Sequence, residues 1–123
     1  MSIYREFWKG VAKTASYALK VTDNCIRFSN FGAAGAVTFT LPPIADVVDG
    51  WTAEFFVVVD QNVTITAPAG KLAAFNNAAA TSIAFSTVAE RIGGGVIITY
   101  DSTAGLYFAK VLLGIETQTP VIS

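Results

Sequence analysis

Serine, threonine, lysine and carboxylate side chains are the groups that could do covalent or acid-base chemistry in this chain, because it holds a single cysteine, Cys25, and no histidine. A serine or threonine nucleophile needs a base within hydrogen-bond reach, and without histidine that base would have to be a lysine such as Lys71 or Lys110, or a carboxylate. Neither lysine stands in a recognisable motif with a hydroxyl. The pairs Asp46/Asp49 and Asp60/Asp101 could act as general acid and base or hold calcium, but isolated acidic residues in turns more often accept hydrogen bonds from nearby backbone amides. The run Gly93-Gly94-Gly95 lacks the Lys-Ser or Lys-Thr of a phosphate cradle and leads into a strand rather than a helix. It reads as a flexible turn or a close approach between backbones. The expectation is a protein with no catalytic residue, no cofactor and no metal site.

Binding is the remaining chemistry, and the charges direct attention to one end. Among the first 27 residues, Arg5, Lys9, Lys13, Lys20 and Arg27 face only Glu6 and Asp23, while the net charge of the whole chain is −1. The first 23 residues therefore read as a basic arm on an acidic body. Tyr4, Phe7, Trp8 and Val11 recur there at helical spacing, with Arg5, Lys9 and Lys13 between them, which is compatible with an extended arm or a helical turn or two. So short a helix orders only by packing on something else. Tyr4, Arg5, Phe7, Trp8, Lys9 and Lys13 are the candidate partner-binding residues, since aromatics and arginine are enriched at binding hot spots and cations steer association with acidic surfaces. The alternative is that these aromatics cover the bottom of the chain's own core. An acidic body argues against nucleic acid, whose binding rests on many cationic contacts.

The elements that must position these groups are strands. Val37-Thr38-Phe39-Thr40-Leu41 and Val63-Thr64-Ile65-Thr66-Ala67 alternate apolar and polar residues, and each ends at proline. Phe55 to Val59 is continuously apolar and β-branched or aromatic, which predicts a central strand covered on both faces. Ser82 to Phe85, Val96 to Tyr100 and Leu106 to Val111 read likewise, the last two joined as a hairpin through Asp101 to Gly105, and Ile44 to Asp49 allows one helical turn. The fold class is all-β: a β-sandwich or small β-barrel of short antiparallel strands over residues 24–113, with the arm before it and a polar tail, residues 114–123, after it. The uncharged windows Phe28 to Ala45 and Leu72 to Ala89 are broken by glycine and proline or by polar residues, so no membrane span is expected. Arg5, Glu6 and Lys9 likewise interrupt any signal peptide. With 53% hydrophobic and only 14% charged residues, some apolar surface is expected to meet a partner.

The stretch from Asn24 to Val111 resembles a module of tailed-phage structural proteins, which includes small capsid decoration (cement) proteins and domains of fibres. The likeness is carried in order by Ile26-Arg27-Phe28-Ser29-Asn30 with Gly32-Ala33-Ala34-Gly35, Val37 to Pro42, and Gly50 with the Phe55 to Val59 run. Val63 to Thr66 with Ala69-Gly70 follows, and then Gly95 to Asp101 with Gly105-Leu106-Tyr107. The resemblance implies a homo-oligomer, often a trimer, assembled in the host cytoplasm. It would bind the major capsid protein on the outside of an icosahedral shell and stabilise that shell as part of the virion. It brings no catalytic, metal or cofactor residue with it. Two other readings stay open: a head-fibre or tail-fibre component, and a carbohydrate-binding β-sandwich module with Trp51, Tyr100 and Tyr107 as exposed platforms.

Overall fold

The computed structural model describes residues 9–112 and 121–123. In chain order the strands are β1 (Lys9–Ala12), β2 (Tyr17–Ala18), β3 (Ile26–Ser29), β4 (Val37–Thr40), β5 (Thr52–Phe56), β6 (Val63–Thr66), β7 (Leu72–Ala74), β8 (Asn77–Ala80), β9 (Ser82–Phe85), β10 (Gly95–Asp101), β11 (Leu106–Leu112) and β12 (Val121–Ile122). They form two mixed sheets, one ordered β1-β3-β5-β10-β11-β7-β8 and the other β12-β9-β6-β4-β2. No closed barrel forms among the described residues.

The first six strands alternate between the sheets, and each lies parallel to the strand two before it. Thus β1, β3 and β5 are parallel neighbours in one sheet, and β2, β4 and β6 in the other. The chain winds as a flattened coil, laying one strand in each layer per turn. This corrects the expectation of antiparallel strands, which holds for the β10–β11 hairpin and for the β5–β10, β6–β9, β7–β8 and β9–β12 pairs. The reason is physical: a parallel neighbour requires a crossover, and here the crossover is a passage through the opposite sheet.

Alternation places the core where the sequence puts it. Val37 and Phe39 on β4, Val63 and Ile65 on β6 and Ile83 and Phe85 on β9 point inward from one sheet to meet Phe28, Phe55, Val96, Ile98 and Tyr107 of the other. Phe28, Phe39 and Phe55 bridge the layers with ring centroids 5.1 to 5.7 Å apart. β5 is central as expected, but it ends at Phe56, and its outer face carries Glu54, buried beside Arg27 with Oε1 3.1 Å from Nε.

Residues 9–23 are not a separate arm. β1 pairs with β3, β2 pairs with β4, and Val11 and Tyr17 pack against the core. The helical turn expected around Val11 is a strand, because the core needs a covering layer at that edge. Likewise β12, within the expected polar tail, pairs with β9, and the Ser123 N–H donates to Ser82 O. The helical turn expected from Ile44 is a 3-10 turn over Ile44–Asp46.

Of the three glycines leading into β10, Gly94 and Gly95 act through close approach, as expected, although what approaches is chiefly an aromatic ring, while Gly93 takes a positive φ of 92°. A Cβ on Gly94 would lie 2.6 Å from Phe85 Cδ1, and one on Gly95 would lie 2.7 Å from Phe56 Cε1. Phe85 is itself buried and cannot swing aside. Gly94→Ala should therefore cost about 2 kcal/mol through overpacking, seen as a melting temperature lowered by roughly 8 °C for a domain of this size.

Candidate interaction surface

Asn30, at the end of β3, is fully buried, and its carboxamide organises one end of the molecule. Its Oδ1 accepts the N–H groups of Val58 and Val59 at 2.8 and 3.0 Å, and its Nδ2 donates to Val59 O at 2.9 Å. These bonds divert the Phe55 to Val59 run out of the sheet after Phe56. Val57 then pairs with the β9–β10 loop, donating to Gly94 O and accepting from Gly93 N–H. Arg91 in that loop ion-pairs with Asp60, Nε to Oδ1 at 2.8 Å, and also donates to Asn62 Oδ1. Three loops are thereby locked together, with their one cation neutralised by a carboxylate.

What these loops display is apolar. Phe31 follows Asn30 and is 68% exposed, Val58 is 43% exposed, and Val88 and Ile92 on the β9–β10 loop are 72% and 57% exposed. Exposed apolar side chains on a rigid frame, with Glu90 and the Asp60–Arg91 pair beside them, have the composition of an interface with a polar rim. The sequence reading passed over Phe31, Val88 and Ile92 and placed Val58 in a strand covered on both faces, which its exposure corrects. The one signal it offered was an apolar run, Phe55 to Val59, longer than the strand it continues.

The opposite end adds carboxylates to its own exposed apolar residues, Val21 at 42% and Val48 at 72%. β1 starts there: Lys9 is aligned with Ile26, beside Cys25 and Asn24. Asp23, Asp49 and Asp101 gather at this end, and each is occupied in local hydrogen bonding. Asp23 accepts from Lys20 N–H and Tyr17 O–H, both at 2.8 Å, Asp49 from Ser102 N–H at 2.8 Å, and Asp101 from Ala104 N–H at 3.1 Å. Accepting the tyrosine hydrogen raises the Tyr17 pKa above its usual value, with smaller contributions from burial and from the Asp23 charge. Asp49 and Asp101 thus do the turn chemistry expected of them, while Asp60 serves the ion pair with Arg91. Among the described residues no three His, Cys, Asp or Glu side chains gather to hold a metal ion, and no helix is long and apolar enough to cross a membrane.

Of the candidate binding residues, Tyr4, Arg5, Phe7 and Trp8 lie outside the described residues. Lys9 is exposed at the start of the edge strand β1. Lys13 folds back, its Nζ 3.7 Å from the centroid of the Tyr17 ring, so its charge already has a partner in its own chain.

Trp51, Tyr100 and Tyr107 are core residues, which corrects the reading of them as exposed sugar platforms. All three are buried, with Tyr107 edge-on to both Trp51 and Tyr100 at 6.1 and 5.6 Å. Trp51 Nε1–H donates to Val21 O, and the Tyr107 hydroxyl to Pro42 O at 2.6 Å. The physical reason is that aromatics with one polar atom suit the interior when a backbone carbonyl receives that atom.

A comparison with models of known protein families found no match for this chain, and a comparison with curated proteins found none either.

Two outcomes follow. Asn30→Ala removes the acceptor of two part-buried N–H groups and should cost about 2 kcal/mol; amide hydrogen exchange at Val58 and Val59 should accelerate more than in the core strands. Burial first, and then the charges of Tyr100 and Asp46, push the Tyr107 pKa well above that of a free tyrosine. Because the folded state holds this proton more tightly, the stability it contributes is intact below the unfolded pKa of about 10 and is lost as pH rises beyond it. Urea denaturation at pH 8 should show Tyr107→Phe about 1 kcal/mol less stable than the parent. At pH 11 the gap should narrow or reverse.

Proposed function

We propose that this chain is a non-enzymatic structural protein of a tailed-phage particle: a decoration protein that sits on the outside of the icosahedral shell as a homotrimer and holds neighbouring capsomers together. Most of the residues that carry the resemblance to that family fall on β3, β4, β5, β6 and β10 and on the opening of β11, and the rest on the loops that follow or precede those strands.

The observation that carries the reading is the pair of unlike ends. The locked loops present Phe31, Val58, Val88 and Ile92 at one end, and the exposed Lys9 opens β1 at the other. A cement protein must grip two neighbours at once, and a body with a contact surface at each end is built for that. The apolar end docks by burial of surface, and Tyr4, Arg5, Phe7, Trp8 and Lys9 bind an acidic patch of the major capsid protein. Each contact is weak alone and gains strength from being repeated within an oligomer over a particle.

Co-sedimentation with expanded tailed-phage shells stripped of decoration protein tests this. The full chain should bind saturably. A variant lacking residues 1–8, which leaves β1 in place, and the double variant Phe31→Asp/Val88→Asp should each bind at least tenfold more weakly while melting within a few degrees of the parent. Absence of binding by the full chain, or parental binding by both variants, would overturn the proposal.

A further inference from the structure

Glu54 carries the one buried charge among the described residues. Its side chain is 11% exposed, yet it stands on the outer face of β5, away from the core. Burying a carboxylate is costly unless its partner is well held. The partner is Arg27 on the neighbouring strand, whose Nε donates to Oε1 at 3.1 Å. The guanidinium also lies over Phe56, with Cζ 5.9 Å from the ring centroid. Two contacts therefore fix the head group of a side chain that is still 45% exposed. Among the described residues its two Nη groups donate to nothing, so most of the fork's donors are unspent.

The surface beside this fork is open. Gly10 of β1 is aligned with Arg27, on the side away from Glu54. A Cβ placed there would meet nothing within 4 Å. The φ of Gly10 is not positive, so the backbone of β1 does not call for glycine at this position. What the missing side chain leaves is a shelf where another chain can approach closely. The other charges on this face stand apart. Lys110 is aligned with Ile97 on β11, three strands from β3 or about 14 Å at the usual strand spacing. Asp101, at the end of β10, accepts the Ala104 N–H.

We infer that Arg27 and the shelf at Gly10 receive a carboxylate side chain from the acidic patch of the shell; this deepens the proposed function and rests on it. Gly10 directly follows Lys9, which that reading already assigns to the same patch, so the contact is continuous along β1. The ligand is picked out by charge. Glu54 offsets the charge of Arg27, and what remains is directed hydrogen bonding, which suits a planar carboxylate met by two parallel N–H groups. A phosphate dianion seeks net positive charge, which the pair does not offer. Glu54 is thus a positioning residue: it holds the fork and selects a monoanion.

Titration of the full chain with a blocked hexaglutamate peptide, followed by NMR at the Arg27 Nε–H, tests this. The signal should move saturably, and inorganic phosphate at the same concentration should leave it in place. Gly10→Val fills the shelf with a residue suited to a strand, and should weaken the peptide at least tenfold with a melting temperature near the parent's. Arg27→Lys keeps the charge without the fork, and peptide binding followed at the Lys9 N–H should weaken as much. Glu54→Gln keeps an acceptor for Nε and removes the charge, so phosphate should now bind, a change that a merely structural carboxylate would not produce. The contact is overturned if the peptide leaves the parent's Arg27 signal unmoved, if phosphate moves it as the peptide does, if Gly10→Val binds the peptide like the parent, or if phosphate stays excluded from Glu54→Gln. Co-sedimentation separates this from the wider reading. Parental shell binding by Gly10→Val overturns the assignment to the shell, whereas a parent that binds the peptide as expected and ignores the shells overturns the proposed function and leaves the carboxylate site standing.

Discussion

The rings of Phe28, Phe39 and Phe55 meet between the layers at centroid distances of 5.1 to 5.7 Å, and two of the three come from the same sheet. Truncating a buried ring of this kind to alanine costs about 3–5 kcal/mol, against a net stability of roughly 5–15 kcal/mol for an ordinary domain. Both layers depend on that contact because the chain passes from one to the other at every turn of the coil. β3, β4 and β5 each bring one ring, so the connections between them are tied down from both ends. The loops that display Phe31 and Val58 leave directly from these strands, and their rigidity is inherited from the ring cluster through Asn30.

The strands and their inward faces could be read from residues. Val37, Phe39 and Leu41, and Val63 and Ile65, are buried as their alternation requires. Alternation states which face a side chain takes, but it is silent on which strand lies alongside or in which direction. Seven residues separate β3 from β4 and eleven separate β4 from β5, more than a two-residue hairpin needs, and that spacing was the available hint of crossing between sheets. Residues 9–18 misled for another reason: a four-residue and a two-residue edge strand are too short to show a period of two, and Val11 continues the helical spacing of Tyr4, Phe7 and Trp8 before it. β7 and β8 went unseen because alanine and asparagine carry little strand preference.

The binding surface was less legible than the fold. Phe31, Val88 and Ile92 are isolated apolar residues in loops, and such residues look the same in sequence whether they are covered or exposed. Trp51, Tyr100 and Tyr107 drew attention as aromatics beside polar loops, yet each finds a core position, with Val21 O and Pro42 O receiving the polar atoms of Trp51 and Tyr107. Exposure is decided by how loops of distant sequence are tied together, here by Asn30 and Arg91, and a single buried carboxamide leaves no pattern in its neighbours.

The interleaved winding has a consequence for how the chain acquires its structure. In the coil, neighbouring strands are aligned across long separations, Lys9 with Ile26 and Ile26 with Ala53, so almost none of its sheet pairing is local and closure entropy must be met before any pair forms. That is the regime of slow, millisecond-to-second folding. Yet each turn of the coil lies against the turn made just before it, so a chain emerging from a ribosome can lay its layers in order, every new strand finding its template already present. β12, the last of the described strands, joins the second sheet alongside β9.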